Sequence, residues 1–85
     1  MQQVTMYTGD PCPLCEAAKA LLKTKNVEIQ EIDVWKDPAK AKEMLQKTNG
    51  SRSIPQIFIG DHYIGGNDKL QEANRNGELD KLLKS

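Results

Sequence analysis

The chain has eighty-five residues, with twelve basic and twelve acidic side chains and no formal net charge, so it presents no single-signed field to a phosphate backbone or an anionic membrane. A chain this short buries only roughly 60–65% of the surface its unfolded form exposes, which points to one domain over residues 1-85 with a small core. Met1-Gln2-Gln3-Val4-Thr5-Met6 has no basic and apolar leader pattern, no apolar run approaches the ~18 residues of a membrane span, and the two cysteines stand only three positions apart. The expectation is a cytoplasmic monomer that meets neither membrane nor nucleic acid.

Val4-Thr5-Met6-Tyr7 is a short β-prone run closed by the turn residues Thr8-Gly9-Asp10-Pro11. From Pro13, apolar residues at Leu14, Ala17, Ala18, Leu21 and Leu22 follow the spacing of an amphipathic helix, predicted to run to about Lys25 and stop at Asn26. Val27-Glu28-Ile29-Gln30 alternates as a half-buried strand, and the alternation slips at Glu31-Ile32. Asp37 and Pro38 suit the cap and first position of a second helix, which carries Ala41, Met44, Leu45 and Thr48 on one face and ends at Asn49-Gly50. Ile57-Phe58-Ile59 and His62-Tyr63-Ile64 flank Gly60-Asp61 as a hairpin. Gly65-Gly66-Asn67 then turns into a third helix, with Asn67 as candidate cap and Leu70 and Ala73 inward, and a last helical piece holds Leu79, Leu82 and Leu83. The order βαβαββα predicts an α/β fold with one mixed four-stranded sheet, in which the first two strands are parallel and the last two antiparallel.

Cys12-Pro13-Leu14-Cys15 lies at the strand-to-helix junction. A disulfide across four residues removes only roughly 2 kcal/mol of chain entropy, so the pair is a poor staple. As a redox couple it is well placed. Cys12 falls at the N-cap, where the unpaired NH groups of the first turn and the helix dipole favour a thiolate, and Pro13 fixes the first helical φ. Cys12 is therefore the expected nucleophile, with its thiol shifted below the free-cysteine value, and Cys15, one turn in and more buried, the resolving thiol. A structural zinc site would want four ligands and finds only His62 besides, so no metal is expected.

These residues resemble the glutaredoxin family of the thioredoxin fold, and the resemblance covers essentially the whole chain. Three blocks carry it: Cys12-Pro13-Leu14-Cys15, Ser53-Ile54-Pro55-Gln56-Ile57-Phe58-Ile59, and Ile64-Gly65-Gly66-Asn67-Asp68-Lys69-Leu70. The resemblance implies a thiol-disulfide oxidoreductase with glutathione as co-substrate, no tightly bound cofactor, and protein disulfides as partners. It implies a cis Pro55, with Ser53 and Ile54 beside Cys12 and the backbone of Ile54 open to an extended substrate. It also implies a Gly-Gly-x-Asp site in which Gly66, Asn67 and Asp68 hold the γ-glutamyl end of glutathione. Three positions depart from the family pattern: Gly9 stands where a lysine is usual, Leu14 where tyrosine is usual, and Lys69 where a second acid is common. Lys47 and Arg52 are the candidate replacement cations, and Leu14 keeps an apolar wall.

Two competing readings remain open at this point. One is a thioredoxin-like electron donor, for instance to ribonucleotide reductase, recharged by a flavoprotein reductase. The other is a pair of chains bridging an iron-sulfur cluster through Cys12 and two glutathiones, which Pro13 disfavours by stiffening the loop. His62 is expected on an exposed strand, Trp35 as a cover for the small core, and the Lys and Glu residues of the second helix as a solvated face.

Overall fold

The structure is a computed structural model and describes residues 2–84. Four strands, β1 (Val4–Thr8), β2 (Ile29–Asp33), β3 (Gln56–Ile59) and β4 (His62–Gly65), form one mixed sheet in the order β2-β1-β3-β4. Helices α1 (Pro13–Lys23), α2 (Pro38–Lys47), α3 (Asn67–Arg75) and α4 (Glu78–Lys84) complete the predicted α/β order. β1 and β2 run parallel, with Val4 opposite Ile29 and Thr8 opposite Asp33. β3 is antiparallel to both β1 and β4, with a register shift between Ile57 and Phe58. The C-terminal ends of β1 and β2 therefore lie together, and Gln56, at the start of β3, pairs with Tyr7 beside them.

Side chains on β1 alternate between two cores. Val4 and Met6 join Ile57 and Ile59 on the face covered by α1, α3 and α4, where Cys15, Ala18, Leu22, Leu70, Ala73, Leu79 and Leu83 are buried. Tyr7 points the other way, to a smaller cluster with Val34 and Met44 under α2, against which Ile32, Ala41, Ile54 and Phe58 pack. Phe58 meets Tyr7 edge-on at 6.0 Å between ring centroids. Burying each large aliphatic side chain here contributes roughly 1.5–3 kcal/mol before ordering costs are subtracted.

Several local boundaries differ from expectation. The buried stripe of α1 is Cys15, Ala18 and Leu22, while Leu14 and Ala17 face water. The helix is rotated so that its second cysteine, rather than the residue before it, enters the core. β2 begins at Ile29 rather than Val27 and continues to Asp33, because its limits follow pairing along β1 rather than its own alternation. α2 is capped as predicted: the Asp37 carboxylate accepts from the Ala39 and Lys40 NH groups at 3.1 and 3.4 Å, with Pro38 next. Gly66, not Asn67, is the residue before α3; Asn67 is already helical and its Oδ1 accepts from Gln71 at 3.2 Å. Among the described residues no helix is long and apolar enough to cross a membrane.

Candidate active site

The dithiol loop joins the end of β1 to α1. Asp10-Pro11 carries a cis peptide bond, and Cys12 follows in extended backbone (φ −150°, ψ 96°) as the N-cap of α1, with Pro13 in the first turn. The Cys15 NH donates to Cys12 Sγ at 3.1 Å, so a sulfur does the work that a Ser or Asp oxygen does at an ordinary cap. A disulfide joins the two residues, with their Cα atoms 5.2 Å apart. They differ sharply in access: Cys15 is completely buried, and Cys12 is half-buried on the rim of the main core. Pro13 and Leu14 are exposed, Leu14 at 57%.

The Ile54-Pro55 bond is cis, as the resemblance implies, and Pro55 is fully buried. Gln56, almost fully buried, secures the approach to it. Its amide nitrogen donates to the Ser53 carbonyl at 2.8 Å, to Ser51 Oγ at 2.9 Å and to Ser53 Oγ at 3.0 Å, while its Oε1 accepts from the Tyr63 hydroxyl. Ser53 is exposed, and Ile54 packs against both cores, linking the cluster that Cys12 borders with the one under α2. Gly66 lies beside this segment, since a Cβ added there would stand 3.5 Å from the Pro55 carbonyl oxygen. The second and third sequence blocks therefore meet in space. The N-terminus of α3 has no side-chain cap, and Asn67 and Asp68 occupy its first turn.

The two candidate cations separate. Arg52 is exposed and lines a hollow with Val34, Trp35, Ala41, Met44 and Leu45. Lys47 instead lines a different hollow with Thr5, Tyr7, Phe58, Gly60 and Asp61, toward the hairpin turn at the opposite end of the sheet from Cys12. Lys69 turns to Glu72 at 3.8 Å.

Two features have no simple signal in the sequence. Trp35 lies on Gly9, where an added Cβ would stand 2.6 and 2.7 Å from indole carbons Cε3 and Cε2. The indole is nonetheless 57% exposed, so it covers the backbone leading into the dithiol loop rather than the core. Gln56 could have been suspected from its polar place in an apolar run, but nothing local names Ser51 and Ser53 as its partners.

The glutaredoxin family model matches residues 4–64, which include both cysteines and the cis-proline segment. The chain belongs to the glutaredoxin family. Glutaredoxin 3 of Escherichia coli K12 is 45% identical over 84 residues, covering 99% of this chain and all of that protein. A glutaredoxin of Neisseria meningitidis is 49% identical over 84 residues, covering 98% of each. The solution structure of the Brucella melitensis glutaredoxin superposes with a TM-score of 0.84 at 43% identity over 99% of this chain and 90% of that one. A buckwheat glutaredoxin-glutathione complex gives 0.86 at 28% identity over 95% and 76%. The Cys12-Cys15 pair thus sits at the reactive end of a thioredoxin fold, in a family of thiol oxidoreductases.

Proposed function

We propose that this glutaredoxin reduces protein disulfides and glutathione mixed disulfides in the cytoplasm, acting as a monomer with glutathione as its co-substrate. The observation that carries the reading is the asymmetry of the two sulfurs, Cys12 accessible at the helix cap and Cys15 sealed in the core. In the reduced protein the Cys12 thiolate attacks one sulfur of the substrate disulfide. A Cys12–substrate bond forms, the substrate S–S bond breaks, and the departing sulfur takes the electron pair and a proton. Cys15 then attacks Cys12 Sγ, releasing the second substrate thiol and closing the 12–15 disulfide, or a glutathione thiolate resolves the intermediate instead. Two glutathione thiols supply the two electrons that reopen the disulfide and leave as oxidised glutathione.

Glutathione recognition is supported by the cis Pro55 segment beside Gly66 and by the uncapped first turn of α3, whose NH groups suit a carboxylate. The buckwheat relative's complex with glutathione supports the same assignment. Of the two candidate cations, Arg52 lines the hollow beside Trp35 and Lys47 the one toward the hairpin end; the glutathione site of this reading is the cis-Pro55 segment together with the first turn of α3.

The test is a glutathione-coupled assay run beside one coupled to a thioredoxin reductase. Turnover with glutathione supports the reading, and turnover with the reductase alone assigns the chain to the thioredoxin-like alternative. Cys12→Ser abolishes reduction of a glutathione mixed disulfide, whereas Cys15→Ser keeps part of it and loses reduction of intramolecular protein disulfides. Equal loss in both variants counts against the mechanism.

A further inference from the structure

Of the two most exposed large hydrophobic side chains, Leu14 belongs to the dithiol loop itself, but Trp35 lies on Gly9 from 26 positions away and has no part in the chemistry above. Its position is nevertheless firmly held. The Asp33 carboxylate accepts from the Trp35 and Lys36 NH groups at 2.9 and 3.0 Å, and the Val34 NH donates to the Thr8 carbonyl at 2.9 Å. The indole consequently lies flat on Gly9 with more than half its surface in water. Holding a large apolar ring out of the core costs hydrophobic free energy, and an exposed aromatic of this kind marks a contact surface when its surroundings are also apolar.

Those surroundings form a hollow of about 210 Å³ whose floor includes the buried Val34 and Met44, lined also by Trp35, Ala41, Leu45 and Arg52. That volume is enough for one side chain of leucine size. Arg52 makes no ion pair with any described residue. The apolar recess is thus lined by one positive charge without an ion pair, Arg52, in a chain that is neutral as a whole. The hollow also belongs to the dithiol end of the molecule. Gly9 is three residues from Cys12, Arg52 is three residues from Pro55, and Ile54 packs against both the core that Cys12 borders and the cluster that forms the floor. Three extended residues span at most about 10 Å, so a peptide bonded through its cysteine to Cys12 reaches the indole within a few residues.

We propose that the Trp35–Arg52 hollow docks the segment of a protein disulfide flanking the reacting cysteine, taking an apolar side chain onto its floor and an acidic side chain against Arg52. This rests on the dithiol reading above, because it is Cys12 that tethers the partner. The occupant is an acidic, apolar-bearing peptide segment, since a basic one meets Arg52 at close range and a small thiol alone has nothing with which to fill the recess.

Trp35 is the only tryptophan in the chain, so its fluorescence reports the hollow directly. In Cys15→Ser, Cys12 is loaded with a peptide bearing leucine and glutamate a few residues from a cysteine activated as its 2-thiopyridyl disulfide. The Cys12–peptide S–S bond forms, the thiopyridyl sulfur leaves with the electron pair as pyridine-2-thione, and its absorbance counts the complexes made. The peptide complex is expected to show blue-shifted Trp35 emission and reduced acrylamide quenching, and the corresponding glutathione complex is expected to show neither. In the protein with both cysteines, Trp35→Ala raises KM for the mixed disulfide of that peptide about tenfold more than for a small glutathione mixed disulfide, and Trp35→Phe restores most of the difference. Replacing the peptide's glutamate by lysine weakens docking to the wild type, and Arg52→Glu inverts the preference.

Full release of pyridine-2-thione with unchanged Trp35 emission, or equal KM changes for both substrates in Trp35→Ala, overturns the docking proposal and leaves the dithiol chemistry standing. Failure of Cys12 to release the thione overturns both. A blue shift with glutathione equal to that with the peptide assigns the hollow to the tripeptide and overturns the proposal.

Discussion

Replacing Gly9 by alanine puts a methyl group where the Trp35 indole now lies. The added Cβ would be 2.6 Å from Cε3, against 3.4–4 Å for ordinary contact, so the ring must retreat by about 1 Å or swing off the backbone. If it stays and the neighbourhood yields, overpacking costs roughly 1–3 kcal/mol. If it leaves, the covered part of the indole is lost. At 57% exposure a little under half of the side chain is covered, or about 100 Å² of an aromatic that can bury roughly 150–250 Å². That area corresponds to about 2.5 kcal/mol. Alanine returns about 0.4–1 kcal/mol by restricting the unfolded chain, which leaves a net loss of about 1–2 kcal/mol, or a fall in Tm on the order of 5–12 °C for a domain of this size. In the Trp35→Ala background the clash partner is gone, and Gly9→Ala is expected to be neutral or slightly stabilising. The assay is urea unfolding of the four proteins of this cycle, followed by far-ultraviolet circular dichroism because the fluorophore is removed in two of them. Equal cost of Gly9→Ala in both backgrounds refutes the contact as the reason for glycine at this position.

Tyr7→Phe removes the hydrogen bond that Glu43 accepts at 2.6 Å. That bond, ahead of the Lys40 contribution, holds the Glu43 carboxyl below its ordinary value; its pKa is expected to rise in the variant, read by side-chain NMR titration, and no change refutes the assignment. Burial first, then Glu43, raises the Tyr7 hydroxyl above the ordinary phenol value of 10.0. The unfolded chain therefore ionises first, so the contribution is complete below pH 10 and is lost above it. Chemical denaturation across pH 9–11 should show wild type losing stability more steeply than Tyr7→Phe. Leu70→Ala, at a fully buried site on the inner face of α3, is expected to lose about 2–5 kcal/mol by the same urea measurement, a large share of the roughly 4–13 kcal/mol available to a domain of this length. Asp37→Ala removes the cap that receives the Ala39 and Lys40 NH groups and should cost about 0.5–2 kcal/mol, with amide exchange accelerated in the first turn of α2.

Local chemistry made much of the fold legible. Asp37-Pro38 announces the start of α2, the two-residue Gly60-Asp61 turn pairs β3 with β4, and a proline between two cysteines at a strand-to-helix junction names the N-cap sulfur. Each of these is decided within a few residues, so an isolated segment already carries the information. The element order also restricts the sheet to a few topologies, and the observed one has the expected parallel and antiparallel pairs. The limits of β2 were not legible in this way, because pairing with β1 sets them and alternation within β2 does not.

The site divides along the same line. The spacing of Cys12 and Cys15 makes them a couple, and the place of Cys15 one turn into the helix already points to it as the more buried; the rotation of α1 against the sheet decides that Cys15 is sealed completely while Leu14 turns outward. The separation of Lys47 from Arg52 needs the strand directions, which carry one to the hairpin end and leave the other beside Trp35. The contact of Trp35 with Gly9 and the grip of Gln56 on Ser51 and Ser53 also arise only when the chain is folded. Sequence therefore determined which residues can do redox chemistry, since that depends on side-chain type and helix-end position. Tertiary structure decided how completely Cys15 is sealed and which surfaces lie beside Cys12, since access and long-range contact exist only after the sheet has closed over its helices.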